Sequence, residues 1–183
     1  RMSVKGGVGK RSECTGGSGN RLSVTERAAI TSMGAELGAK TSVCPSDEVT
    51  KAFLEAQCRA EDWSALEADA DAVYDETIEI DLSALAPMAA MPHMPDRVKS
   101  FTEIGTIKID QVCIGSCTNS PLMDMLKAAA TLKGKTVCPT VSLPIAPGST
   151  QVLKTLATDG PLRPMNSTLA PILDTPCVPC TAS

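Results

Sequence analysis

Residues 107–143 carry the pattern that most narrows the fold. Ile107 to Ile114 reads as a strand closed by Gly115. Ser120 can cap a helix with Pro121 at its first position, where a missing N–H costs nothing. Leu122, Met125, Leu126, Ala129 and Leu132 then fall on one helical face, ahead of Lys133-Gly134-Lys135. Val137 to Leu143 reads as a second, almost uncharged strand, although Pro139 cannot donate to a central ladder. Strand, helix and strand in this order form a βαβ unit, whose strands run parallel. Pro147-Gly148-Ser149 turns into a helix with Val152, Leu153 and Leu156 inward, stopped at Asp159-Gly160, and Leu169 to Leu173 reads as a short third strand. The expected class is α/β, with parallel or mixed sheet layers flanked by helices.

The amino-terminal half is less regular. Residues 1 to about 21 are rich in Gly, Ser, Lys and Arg, show no periodicity, and read as loop or a broken element. Ser23-Val24-Thr25-Glu26 is a capping box, with Ala28, Ala29, Ile30, Met33 and Leu37 as the apolar side of the helix and Gly38 as its C-cap. Ser46-Asp47-Glu48 starts a second helix through Val49, Phe53, Leu54 and Ala56. Thr77 to Leu82 alternates like an edge strand. Pro87, Pro92 and Pro95, interleaved with Met88, Met91 and Met94, form an irregular crossing, which divides the chain into segments 1–95 and 96–183.

Charge and composition remove several function classes. The 17 basic and 21 acidic residues give a net charge of −4 with no basic stripe, and aromatic residues are only 2% of the chain. Nucleic acid is therefore not an expected partner, since its phosphates want cations and its bases want aromatic stacking. Nor is a membrane, because no apolar run approaches the roughly 20 residues that span one. Lys5-Gly6-Gly7-Val8-Gly9-Lys10 imitates a phosphate-binding loop, but Arg11 stands where a magnesium-binding Ser or Thr belongs. The sole histidine, His93, has no supporting catalytic motif. Eight cysteines without a signal-peptide pattern point to a reducing cytoplasm with some thiols used as metal ligands.

Three of those cysteines stand at strand ends. Cys117 follows the first strand of the βαβ unit, at its carboxyl end, where open α/β sheets place ligands. Cys177 and Cys180 follow the third strand, in Pro176-Cys177-Val178-Pro179-Cys180. Thiolates converging in this way suit an iron–sulfur cluster or zinc. Two alternatives stand beside that reading: small buried cysteines without a metal, and a four-thiol zinc site that adds Cys113.

Ile114-Gly115-Ser116-Cys117-Thr118-Asn119-Ser120, followed about sixty residues later by Cys177-Val178-Pro179-Cys180, resembles the signature of the aconitase superfamily. Ser23-Val24-Thr25-Glu26-Arg27-Ala28, Met33-Gly34-Ala35-Glu36-Leu37-Gly38-Ala39, Pro45-Ser46-Asp47-Glu48 and Pro144-Ile145-Ala146-Pro147-Gly148-Ser149 agree with it. The resemblance implies a hydro-lyase interconverting hydroxy-tricarboxylates, with Cys117, Cys177 and Cys180 holding a 4Fe–4S cluster whose fourth iron takes the substrate. It implies that Glu36 faces the substrate and the iron-bound water. Residues 1–95 then match the second domain of such an enzyme and 96–183 the start of the third, with other domains or subunits as partners. Ser32 stands where the family usually has asparagine, and Val178 replaces a glycine between the cysteines. Both ends read as interrupted elements. The chain is expected to be an internal stretch of a longer enzyme and catalytically silent alone.

Overall fold

A computed structural model describes residues 2–17, 21–158 and 171–173, which separate into two units, Arg1–Gly105 and Thr106–Ser183. In the first unit, helix α1 (Val24–Glu36) begins at the capping box expected of it. The Ser23 Oγ accepts from the Glu26 N–H at 3.3 Å, and the Glu26 carboxylate accepts from the Ser23 N–H at 2.8 Å. At its other end Gly38 and Ala39 donate to the carbonyls of Ala35 and Gly34, both at 3.0 Å, so the last turn is satisfied. The side of α1 that packs is not the apolar one. Arg27 and Gly34 are its buried residues, while Ile30 and Met33 are 46% and 45% exposed. Gly34 lets the helix lie directly against Ser42 of the neighbouring strand.

That strand, β2 (Thr41–Val43), pairs in parallel with β1 (Arg11–Glu13). The first 21 residues are thus not all loop: three of them extend because a distant partner takes their hydrogen bonds. The glycine run ahead of β1 has structural work. Gly7 donates to the carbonyl of Leu37 at 2.9 Å, and Lys10 pairs with Glu76 at 2.6 Å. Helix α2 (Glu48–Ala56) is capped by Asp47, whose carboxylate accepts from the N–H groups of Val49 and Thr50 at 3.1 and 3.2 Å.

Thr77 to Leu82 is not a strand. Residues 77–81 have no regular structure and lie exposed, and a 3-10 turn follows at Leu82–Ala84. Alternation alone cannot make a strand where no neighbour accepts its hydrogen bonds. Strands β3 (Met88–Ala90) and β4 (Val98–Ser100) form an antiparallel hairpin. Residues 95 and 96, where the composition changes, lie inside it.

In the second unit β5 (Ile114–Gly115) and β6 (Ile145–Ala146) run parallel. The pairing extends backwards, with Val112 donating to Ser142 at 2.8 Å and Ser142 donating to Asp110 at 3.0 Å. On the far side of β6, Ile145 donates to Pro171 at 2.9 Å and accepts from Leu173 at 2.8 Å, in parallel sense. The three segments therefore lie in chain order, with β6 central. The second strand sits later than its expected position at 137–143, because Pro139 and Thr140 turn the chain first.

Helices α3 (Leu122–Leu132) and α4 (Thr150–Thr158) cover the sheet. Met125, Ala129, Leu143, Ile145 and Leu156 form the core between them. Pro121, not Ser120, is the N-cap of α3. The chain turns one residue later than the cap pattern expects, and Ser120 is enclosed completely. Residues 169 and 170, and the expected stop at Asp159-Gly160, lie outside the described residues.

Candidate functional site

Two glycines build the edge on which Cys117 stands. Gly115 closes β5 at φ +152°, and a Cβ there would lie 2.7 Å from the Cβ of Ala146 on β6. Only glycine allows the two strands to approach at this point. Gly148, beyond β6, donates to the carbonyl of Ser120 at 3.1 Å, and a Cβ on it would lie 2.8 Å from that same oxygen. The loops leaving two parallel strands are thereby clamped together at the carboxyl edge of the sheet.

Within the first loop, Ser116 takes φ +150°, a backbone region costly for a residue with a side chain. Its Oγ accepts from the N–H groups of Thr118 and Asn119 at 3.2 and 3.1 Å, holding the turn. This turn presents Cys117 outward. Its sulfur is exposed and has Thr118 Oγ1 beside it at 3.8 Å. Ser120 follows as a fully buried residue whose Oγ has no hydrogen-bond partner among the described residues. In the second loop the Ser149 Oγ accepts from the Val152 N–H at 3.2 Å, starting α4. The sequence marks Pro147-Gly148-Ser149 as the beginning of a helix and as part of a stretch that agrees with the family resemblance, without placing it beside Cys117. Its signal as part of the site was a second glycine immediately after a βαβ strand.

Cys177 and Cys180 lie outside the described residues. Leu173, four positions before Cys177 in sequence, pairs in parallel with β6, which puts the carboxyl end of that segment at the same edge of the sheet. Among the described residues no three His, Cys, Asp or Glu side chains gather as a metal site. The zinc alternative is not favoured. It needs Cys113 and Cys117 to share a strand face, and the positive φ values at Gly115 and Ser116 end the alternation between them. Cys113 is exposed.

Glu36 ends α1 in the first unit and is exposed, one turn beyond the exposed Ser32. His93 is also exposed. An apolar cavity of about 280 Å³ lies between Val112, Ile114 and Leu132. It opens at the start of β5 and the end of α3, away from the Cys117 loop. Among the described residues no helix is long and apolar enough to cross a membrane.

The sequence matches the aconitase family (aconitate hydratase) over residues 1–106 and 97–183. It is similar to the 3-isopropylmalate dehydratase large subunit of Caldanaerobacter subterraneus subsp. tengcongensis, 38% identical over 180 residues, 98% of this chain and 43% of that protein. The proteins of the same name from Moorella thermoacetica and Clostridium kluyveri are each 37% identical, over 98% of this chain and 42% of their own length. The chain thus spans less than half of these relatives.

Proposed function

Because the chain belongs to the aconitase family, we propose that it is part of a hydro-lyase that removes and restores water on a small hydroxy-acid, in a reducing cytoplasm. The observation that carries this reading is the Cys117 loop: an exposed cysteine at the carboxyl edge of a parallel sheet, on a loop that Gly148 clamps at Ser120. In the proposal Cys117, Cys177 and Cys180 hold a 4Fe–4S cluster, which supplies a Lewis acid to the departing hydroxyl. An exposed cysteine fits that use, and the buried Ser120 Oγ, unpartnered among the described residues, leaves a hydrogen-bond donor in the same loop. Glu36 is the proposed acid–base group.

The relatives are called large subunits and dehydratases of 3-isopropylmalate, a hydroxy-dicarboxylate. A dicarboxylate therefore stands beside the hydroxy-tricarboxylates as candidate substrate, and further domains or a second subunit complete the site. Arg163 is the only arginine after Arg97, so a carboxylate clamp must come from elsewhere. Without it, and with general acid–base help worth roughly 10²–10⁴-fold incomplete, the reconstituted chain alone is expected to turn over neither citrate nor 3-isopropylmalate.

Anaerobic reconstitution with iron and sulfide tests the metal centre. The expected product is brown, carries about four irons, and is lost in Cys117→Ser. Colourless protein with stoichiometric zinc, dependent on Cys113, would overturn the cluster. Turnover by the reconstituted chain that disappears in Cys177→Ser would overturn the need for further parts.

A further inference from the structure

The pairing of β1 with β2 does not stop at Glu13 and Val43. Cys14 donates its N–H to the carbonyl of Val43 at 2.9 Å, which carries the ladder one residue on and sets Cys14 opposite Cys44. Two residues earlier, on the same face, Ser12 and Ser42 stand opposite each other, and their Oγ atoms meet at 2.7 Å. Successive residues alternate between faces, so the cysteines repeat that encounter. The two thiols are near enough for Cys14 to act on the ionisation of Cys44. Adjacent strands lie about 4.8 Å apart, within the roughly 4.4–6.8 Å separation of α-carbons that a disulfide bridges. Both cysteines are half-buried, and neither belongs to the proposed cluster set.

We propose that Cys14 and Cys44 are a redox site that forms a reversible cross-strand disulfide by exchange with a small disulfide of the glutathione class. The Cys14 thiolate displaces one thiolate from the small disulfide and is left as a mixed disulfide. Cys44 gives its proton to solvent, attacks the Cys14 sulfur and displaces the second small thiolate. One S–S bond is broken and one is formed. The two protein thiols surrender two electrons and two protons, and the small disulfide becomes two thiols. Burial, then the neighbouring Cys14, push the Cys44 thiol up to about 11, while Arg27 opposes them. A thiol raised in this way is the poorer first nucleophile, so Cys44 is assigned the resolving step. The bond encloses residues 15–43, including α1 and Glu36, and ties together a sheet of three residue pairs.

The test equilibrates the full chain, free of metal, in glutathione buffers of increasing oxidised fraction, followed by alkylation and peptide mapping. The eight alkylatable thiols are expected to fall to six in a first step, with Cys14 and Cys44 recovered as one linked peptide pair. Cys44→Ser is expected to stop at Cys14 carrying one glutathione. Cys14 and Cys44 remaining alkylatable while other cysteines oxidise would overturn the proposal. So would either one linking mainly to a different cysteine. The map of the unsubstituted chain decides this even where the variant fails to fold.

Discussion

The two units are held by opposite chemistry. Every fully buried apolar side chain among the described residues lies between Met125 and Leu156, in the second unit. The first unit buries an ion pair. The Arg27 guanidinium grips Asp47 with both arms, at 2.9 and 2.7 Å, and also donates to the carbonyls of Leu22 and Pro45 at 3.1 and 3.0 Å. Asp47 in turn caps α2. One carboxylate thus fixes α1, the loop before it and the start of α2. An apolar core loses stability in proportion to the surface removed, whereas a buried pair depends on both partners at once.

Asp47→Ala attacks that dependence most directly. It strands the Arg27 charge, 7% exposed, and removes the α2 cap. The expected cost is about 3–5 kcal/mol from the broken pair alone, read as a lower urea midpoint. Hydrogen exchange should speed up across residues 24–56. Arg27→Lys keeps the charge but not the two-armed grip, and is expected to recover only part of the loss. A midpoint unchanged in Asp47→Ala would mean that the first unit is held by something other than this pair.

Leu156→Ala is the matching cut in the second unit. Leu156 is fully enclosed with Met125 and Ile145, and truncation is expected to cost about 2–5 kcal/mol. Its exchange signature belongs to residues 112–156. A midpoint equal to that of the unsubstituted chain would show that this core is already loose.

Half of this contrast was legible in the sequence. The stripe Leu122, Met125, Leu126, Ala129 and Leu132 foretold an apolar core because a helix repeats locally, and Met125 and Ala129 are indeed buried. Ser23 and Asp47 were readable as helix starts for the same reason. Arg27 with Asp47 was not readable, although both stand in the stretches that carry the family resemblance. Twenty residues separate them, and no periodicity ties an arginine on one helix to the cap of the next. Strand β1 escaped notice for a related reason. Arg-Ser-Glu has no strand pattern, and it extends only because Thr41–Val43 lies beside it. At the candidate site, the turn bearing Cys117 was legible from Gly115 and Pro121. The clamp from Gly148 to Ser120 joins residues 28 positions apart and emerged only in three dimensions.

Acid separates the two units more gently than substitution. The Arg27 guanidinium, aided by the N–H groups of Thr50 and Val49, holds the Asp47 carboxyl down at about 2. An unfolded aspartate titrates near 3.9. The stabilisation is therefore complete above that value and is lost progressively as pH falls from about 4 through 2. Exchange across residues 24–56 should accelerate in this window, and Asp47→Asn should remove the acceleration. An equal acceleration in the asparagine variant would assign the acid sensitivity to other carboxylates.

The smallest effect sharpens the comparison at a single cap. Ser23 closes a reciprocal box with Glu26 at the exposed start of α1, where water can replace either bond. Ser23→Ala removes the hydroxyl that accepts from the Glu26 N–H but leaves the Glu26 carboxylate able to accept from the residue 23 backbone. The expected loss is about 1 kcal/mol, clearly below that of Asp47→Ala, although both residues cap helices. The difference measures what burial adds, because Asp47 is 14% exposed and holds a guanidinium as well as two N–H groups. Urea midpoints of the two variants under one buffer give the comparison. Equal losses would show that Asp47 acts as a cap alone, and that Arg27 holds the first unit together without it.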